Sequence, residues 1–271
     1  MRLSFLPFYP LQQKILLVAL WVIPLMANSS NSLQSWQDPN YIQQAFNEIA
    51  LKNEYRHTEG RILKWQMPIR YQFVYHNLKK NTLIEQLFHT HLQHLQAITN
   101  HPIQHYQPHL SGSANLLIHL TPDTNYQKII QETTPNAPQG LARNSHCMAG
   151  FQRNAQNAIT QAQVVIPVDY VFSKGLLVTC IVEETTQILG LPNDASWVNP
   201  SIANDASKVE LLTGLDYLFL KILYDKSLPA GLPYPQNQKL IQRIIQKLNA
   251  NGEIKHASQI INKMGLFPEI N

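Results

Sequence analysis

The most informative segment of this 271-residue sequence is LLVTCIVEETTQILGLPND, residues 176–194. Its first half is apolar on nearly every side, which predicts a buried helix, and Gly190 predicts the turn that ends this helix. Glu183 and Gln187 are four residues apart and share one helical face, whereas Glu184 lies about 100° further round the axis. Polar side chains therefore enter a stripe that faces the core.

These buried polar groups allow two interpretations. A carboxylate that faces the interior is costly unless it is hydrogen-bonded, paired or bound to a metal ion. Glu183, Glu184 and Gln187 therefore either hydrogen-bond the backbone of the loops at residues 193–205 or line a cleft. Residues four apart on a helix have the spacing of metal ligands, so the cleft is a candidate metal site.

The segment resembles the metzincin metalloprotease motif HExxHxxGxxH, with Glu183, Gln187 and Asn193 at the three histidine positions. The resemblance implies that Glu184 corresponds to the glutamate that activates the zinc-bound water, and that Gly190 corresponds to the glycine of the following turn. It also implies an α+β, zincin-like fold. That fold has an N-terminal mixed sheet with a long helix, a central active-site-type helix and a helical C-terminal part.

A second motif, NPSIAND at residues 199–205, stands where metzincins place the methionine turn, with Ile202 or Ala203 at the methionine position. The two motifs together are similar to an uncharacterised bacterial family, a domain of unknown function of exported proteins with an EExxQxLGLxND core. This resemblance covers residues 41–231 and brings no established substrate. It implies that Asp194, Asn204 and Asp205 support the ligand positions.

The residue types at the ligand positions argue against a zinc protease. Zinc sites use imidazole, thiolate and carboxylate, whereas Gln187 and Asn193 offer neutral amides. We therefore expect no cofactor and a degenerate site. The alternative is a divalent cation, with calcium favoured over zinc because Glu183, Gln187 and Asn193, with Asp194 as a further candidate, form an all-oxygen set.

Hydrophobic periodicity predicts the rest of the fold. Helices are expected at 39–55, 81–98, 173–189, 213–224, 240–248 and 254–264, and strands at 69–75, 115–120 and 162–168. Strands come first and helices later, as in an α+β domain. Thr213 and Asp216 form a capping-box pattern at the start of the fourth helix.

The N-terminus has the pattern of a secretory signal. Residues 15–27 carry no charge and follow a segment whose only charges are Arg2 and Lys14. We expect a signal peptide at 1–27, a polar linker at 28–38, a zincin-like domain at 39–231 and a C-terminal helical pair at 232–271. The protein is then periplasmic or secreted without an integral membrane domain, and an uncleaved anchor is the alternative.

Charge and cysteine content agree with export. Loss of Arg2 and Lys14 leaves 19 of the 21 basic residues against 17 acidic ones, so the formal charge falls from +4 to +2. That small excess predicts no nucleic-acid partner. Cys147 and Cys180 are expected to form a disulfide in an oxidising compartment, with two buried thiols as the alternative.

Two further segments have competing interpretations. His91 and His94 are three residues apart on a helix and could share a metal ion, but the glutamine-rich surroundings favour an ordinary polar face. In the C-terminal helices, Lys239, Arg243 and Lys247 form a basic face opposite an apolar one. These helices either bind a partner or an anionic membrane surface, or pack on their own domain, as such helices usually do.

The sequence thus favours an exported cell-envelope protein with a degenerate metal site and a non-catalytic binding or scaffold role. Its ligand is expected to be a peptide or another envelope component. The alternative is a working metal-dependent, peptidase-like hydrolase in which Glu184 serves as general base and atypical oxygen ligands hold the metal.

Overall fold

A computed structural model describes residues 35–53, 58, 60–108, 112–134, 140 and 145–270. In chain order its elements are α1 (Pro39–Leu51), β1 (Lys64–Trp65), β2 (Ile69–Tyr75), α2 (Thr82–Thr99), β3 (Ile103–His105), β4 (Leu116–Thr121), α3 (Asp123–Thr133), β5 (Met148–Arg153), β6 (Ala158–Pro167), α4 (Val168–Lys174), α5 (Leu177–Gln187), α6 (Gly214–Leu223), α7 (Gln238–Ala250), α8 (Glu253–Ile261) and α9 (Phe267–Ile270). The predicted signal peptide and most of the predicted linker, residues 28–34, lie outside the described residues.

The described strands form one mostly parallel sheet in the order β1-β6-β4-β2-β3, with β5 antiparallel to β6. In the central register Phe73 lies opposite Ile118, and Ile118 lies opposite Val164. Parallel neighbours require crossover connections, and helices supply them here, because α2 lies between β2 and β4 and α3 between β4 and β6. The fold is therefore mixed α/β rather than a block of strands followed by helices.

Several sequence predictions are confirmed and others are wrong. The strand predicted at 69–75 is β2, and the helix predicted at 81–98 is α2. The helix predicted at 173–189 is instead two helices, because Gly175 takes a left-handed conformation (φ 70°) and caps α4. Helix α3 and strand β5 were not predicted, since both are short and weakly periodic.

The sheet separates two apolar clusters. Ile118, Leu120 and Val164 point into the main core, which the helices α1, α2, α5 and α6 complete. Val165 points to the other face and packs with Tyr126, Ile129, Ile130 and Met148, mostly from α3. Alternate residues of one strand thus serve opposite faces, as the pleat requires.

The C-terminal helices pack on this core. Helix α7 buries Ile241, Ile244, Ile245 and Leu248 and contacts α1, while α8 lies on α6. The described residues belong to one compact unit. Within the described part of the chain, none of the helices has the length and apolar character to cross a membrane.

Candidate functional site

Helix α5 carries the candidate site through the middle of the molecule. Leu177, Cys180 and Ile181 are buried on it, and a disulfide joins Cys180 to Cys147 at the start of β5. The predicted disulfide is therefore present. It ties the antiparallel edge of the sheet to the helix, three residues before Glu183.

Beyond the helix, Gly190 turns the chain back under the sheet. Its φ is +115°, and a Cβ on this residue would lie 1.9 Å from the carbonyl oxygen of Leu63. Only glycine fits both the backbone angle and this close approach. Trp65 braces the same turn by donating its indole N–H to the Ile188 carbonyl at 2.8 Å. The loop at residues 191–205 then returns to the end of α5.

Three carboxylates meet where that loop reaches the helix. Side-chain oxygens of Glu183, Asp194 and Asp205 all lie within 4.8 Å of one another. Glu183 and Asp194 are partly buried and Asp205 is exposed. Gln187 joins them by placing its amide nitrogen 3.3 Å from each carboxylate oxygen of Asp194. We call these four residues the carboxylate–amide cluster.

A small cavity adjoins this cluster on the core side. It measures about 10 Å³, roughly the space that one water molecule requires. Its polar lining comes from Glu183, Thr186, Gln187 and Asp216, and its apolar lining includes Ile202 and Phe219. The cluster therefore has room for solvent or a small ion, and the cavity itself is too small for an organic ligand.

Two predicted site residues, Asn193 and Glu184, are buried. Asn193 donates its side-chain amide to the carbonyl oxygens of Glu48, in α1, and Asp194. Burial, and to a lesser extent the negative charge of Glu184, raise the pKa of Tyr126 in α3. Of the residues named from the sequence, Glu183, Gln187, Asp194 and Asp205 therefore meet in the cluster, and the side-chain amide of Asn193 is hydrogen-bonded to main-chain carbonyl oxygens beside it.

A buried aspartate holds the loop beneath the cluster. Asp216 accepts hydrogen bonds from the Ser201 hydroxyl at 2.6 Å, the Ile202 amide at 3.2 Å and the Thr213 amide at 2.8 Å. Burial raises its pKa, and these donors oppose the shift. The predicted capping box at Thr213 and Asp216 is confirmed. Sequence reasoning recognised Asp216 only as a cap, and its second role depends on the fold of residues 200–202.

Asn204 closes the same loop on itself. Its amide donates to the carbonyl oxygens of Ser196 at 3.1 Å and Val198 at 2.9 Å, and its own oxygen accepts from the Ala206 amide. The residue is 5% exposed, and both polar atoms of its side chain are hydrogen-bonded to the main chain. Asn204 therefore shapes the loop that presents Asp205 to the cluster.

The helical histidines lie behind α5. His91 and His94 are buried, and His91 Nε2 is 3.4 Å from the Thr186 hydroxyl. Burial lowers the pKa of His91 to about 3 and that of His94 to about 4. The expected polar face is thus wrong for these two residues, because His91 contacts α5 at Thr186 and His94 packs against Gly265. Neither belongs to a group of three metal-ligating side chains in the described residues.

Comparison with known sequences identifies one family. The family described as "Protein of unknown function (DUF2927)" matches residues 39–243. The match begins with α1 and extends into α7, further than the predicted 41–231. No curated protein and no solved structure matches this chain.

Proposed function

Because the chain belongs to the DUF2927 family of proteins of unknown function, we propose its role from its own residues. The proposal is an exported cell-envelope protein with a zincin-like fold, in which a carboxylate–amide cluster stands in place of a zinc centre. Its role is to bind a peptide or another envelope component and not to cleave it.

The zincin-like assignment is supported by the order of the elements around α5. A long helix, α2, packs against α5, and a mostly parallel sheet with one antiparallel strand, β5, also contacts it. Gly190 turns the chain after the helix, and the loop at residues 199–205 passes beneath the cluster. These features are what the metzincin resemblance of residues 183–194 implies.

The observation that carries the non-catalytic role is the direction of two amide groups. Gln187 donates its amide to Asp194, and Asn193 donates its amide to carbonyl oxygens of the main chain. Zinc sites are built from imidazole, thiolate and carboxylate, whereas these two amides donate their N–H groups to protein acceptors and could offer zinc only a neutral carbonyl oxygen. In this proposal, hydrogen bonds within the protein hold the helix and the following loop together, as zinc coordination does in the enzymes.

A second candidate function follows from the carboxylates. Glu183, Asp194 and Asp205 supply three oxygens within 4.8 Å of one another, a set that suits a hard cation such as calcium. With such a cation the protein is a metal-dependent, peptidase-like hydrolase with Glu184 as general base. The amides at the two other ligand positions, which donate to protein acceptors, make this the weaker proposal.

Export is supported by the cysteines. Both cysteines of the chain form the disulfide between β5 and α5, and such bonds persist in oxidising compartments. Together with the signal pattern in residues 1–27, this supports a periplasmic or secreted protein. Cell fractionation and N-terminal sequencing of the mature chain test the proposal, with Asn28 expected as the first residue.

The two functional proposals differ in metal content and turnover. We expect purified mature protein to hold no stoichiometric zinc, calcium or other metal by plasma mass spectrometry, and to show no peptidase activity. Glu184→Gln should behave like the surface control Glu132→Gln in peptidase assays, and should change the unfolding free energy by about 1 kcal/mol. Stoichiometric metal, together with activity that Glu184→Gln abolishes and Glu132→Gln retains, would establish the hydrolase instead.

A further inference from the structure

A pocket of about 430 Å³ lies between the loop at residues 208–214 and helix α8. Its size falls within the roughly 300–1,000 Å³ that is typical of small-molecule sites. Most of its wall is apolar, with contributions from Val178, Val209, Leu211, Ile261 and Phe267. It shares no lining residue with the cavity beside Glu183 and is therefore a separate site.

Four polar side chains at this pocket have hydrogen-bonding groups to offer. Lys208, Glu210, Ser258 and Asn262 line it, and none forms a side-chain hydrogen bond or ion pair with the described residues. Thr213 lines the same wall but differs, because its hydroxyl is hydrogen-bonded to the Pro200 carbonyl oxygen and the Asp216 carboxylate. The pocket therefore combines an apolar interior with a few polar groups, which is the composition of a ligand site.

The two charged residues have opposite signs. Lys208 and Glu210 are two residues apart in the same loop, and both are exposed at the pocket. A ligand with a carboxylate and an ammonium group pairs with both of them, whereas a ligand of one sign meets attraction and repulsion together. Apolar side chains on that ligand would bury themselves against the wall.

We propose that this pocket binds a small zwitterionic ligand with apolar side chains, of the class of short apolar peptides. The ligand's carboxylate lies at Lys208 and its ammonium group at Glu210. This inference rests on the binding role proposed above and names a ligand class for it. It does not depend on the carboxylate–amide cluster. A negative binding test therefore leaves the conclusion from metal analysis unchanged, and an unexpected metal leaves the binding test unchanged.

The test is calorimetric titration of the mature protein with the dipeptide leucyl-leucine. The same dipeptide acetylated and amidated serves as the uncharged probe. Val209→Trp places a large ring in the pocket from an exposed loop, and Lys208→Gln removes one charge. Lys226→Gln removes an exposed lysine that does not line the pocket, and thermal unfolding checks that each variant is folded.

We expect saturable binding of the free dipeptide by the wild type and by Lys226→Gln. Affinity should fall about tenfold or more in Val209→Trp, and about fivefold in Lys208→Gln and for the uncharged probe. Absence of saturable binding by the wild type overturns the proposal. So does binding that Val209→Trp leaves intact, or equal affinity for the free and uncharged dipeptides.

Discussion

The side-chain amide nitrogen of Gln187 lies 3.3 Å from both carboxylate oxygens of Asp194. One residue comes from the last turn of α5 and the other from the loop that follows Gly190, so this contact closes the loop onto the helix. Glu183 lies one turn earlier on the same face of the helix, and its carboxylate is within 4.8 Å of that of Asp194. Gln187 is therefore the neutral member of the cluster and supplies a hydrogen-bond donor to one of its three carboxylates.

Replacing this amide by a carboxylate tests that relationship. In Gln187→Glu the hydrogen bond to Asp194 becomes a repulsion between like charges, and we expect a loss of about 1–3 kcal/mol in unfolding free energy at pH 7. Added calcium should restore part of that loss, because a fourth carboxylate completes an oxygen-rich site. Urea unfolding with calcium and with a chelator measures both effects.

The exposed variant Gln246→Glu on α7 is the matched control and should change stability by no more than about 0.5 kcal/mol, with or without calcium. Equal behaviour of the two variants would show that the Gln187 hydrogen bond to Asp194 does not stabilise the cluster.

Asp216 is expected to be more important for stability than any member of the cluster. In Asp216→Asn one oxygen becomes an N–H group that faces the donors of Ser201, Ile202 and Thr213. We expect a loss of about 2–4 kcal/mol in unfolding free energy, because buried donors lose their acceptor. Chemical denaturation measures the loss, and Asp123→Asn, an exposed change in the first turn of α3, should cost about 0.5 kcal/mol. A small effect at Asp216 would mean that the loop at residues 200–202 has other support.

How far the sequence predicts this fold depends on the length of each pattern. Helix α2 and strand β2 have strong periodicity, and their predicted bounds agree with the structure within one residue. Helix α3 contains only three buried side chains in 11 residues, so its pattern is weak and the helix was not predicted. The break at Gly175 was missed because the apolar run continues through it, while the glycine acts only through its backbone angle.

The candidate site shows a different limit. Spacing on one helix correctly places Glu183 and Gln187 on one face, since helical geometry fixes that relation. Spacing says nothing about which of two adjacent loop residues turns inward. Asn193 and Asp194 were both named from the sequence, but the hydrogen bond from the Asn193 amide to the Glu48 carbonyl in α1 could not be predicted. That contact joins residues 145 positions apart and has no local signal.

Gly190 offers a prediction with a close control. Gly190→Ala forces a Cβ against the Leu63 carbonyl oxygen at a φ that alanine rarely adopts. Gly175→Ala also has a positive φ, +70°, but nothing lies within 4 Å of its Cβ position. We expect about 1–2 kcal/mol of destabilisation for Gly175→Ala and at least about 2 kcal/mol more for Gly190→Ala. Thermal unfolding of both variants decides the point, and similar losses would show that the contact with Leu63 relaxes easily.

The disulfide should stabilise the whole domain. Cys147 and Cys180 are 33 residues apart, and closing a loop of this length contributes about 3–4 kcal/mol by restricting the unfolded chain. The double variant Cys147→Ala/Cys180→Ala should lose that amount relative to the oxidised wild type, as measured by urea unfolding. Wild type unfolded in a reducing agent should show the same loss, and a much smaller one in both experiments would contradict the loop-closure argument.

Three buried histidines predict how stability depends on pH. Burial lowers the pKa of His91 to about 3, and those of His94 and His119 to about 4, from an ordinary value of 6.5. A histidine whose pKa is lower in the folded state contributes stability that is present above pH 6.5 and is lost as the pH falls toward 4. The reason is that the unfolded chain takes up protons first.

Each such histidine changes the unfolding free energy by about 1 kcal/mol per pH unit in this window, so about 3 kcal/mol should be lost between pH 6 and pH 5. Asp216 opposes the trend, since burial raises its pKa and favours its protonation in the folded state. Urea unfolding at pH 7, 6 and 5 measures the slope.

His119 is hydrogen-bonded to His76 at 2.8 Å and to Gln163 at 2.9 Å, so His119→Gln keeps a polar side chain there while removing one titrating group. The slope should fall by about one third in His119→Gln and stay unchanged in the exposed control His256→Gln. Stability that is flat from pH 7 to pH 5 in the wild type would mean that these histidines take up protons without unfolding.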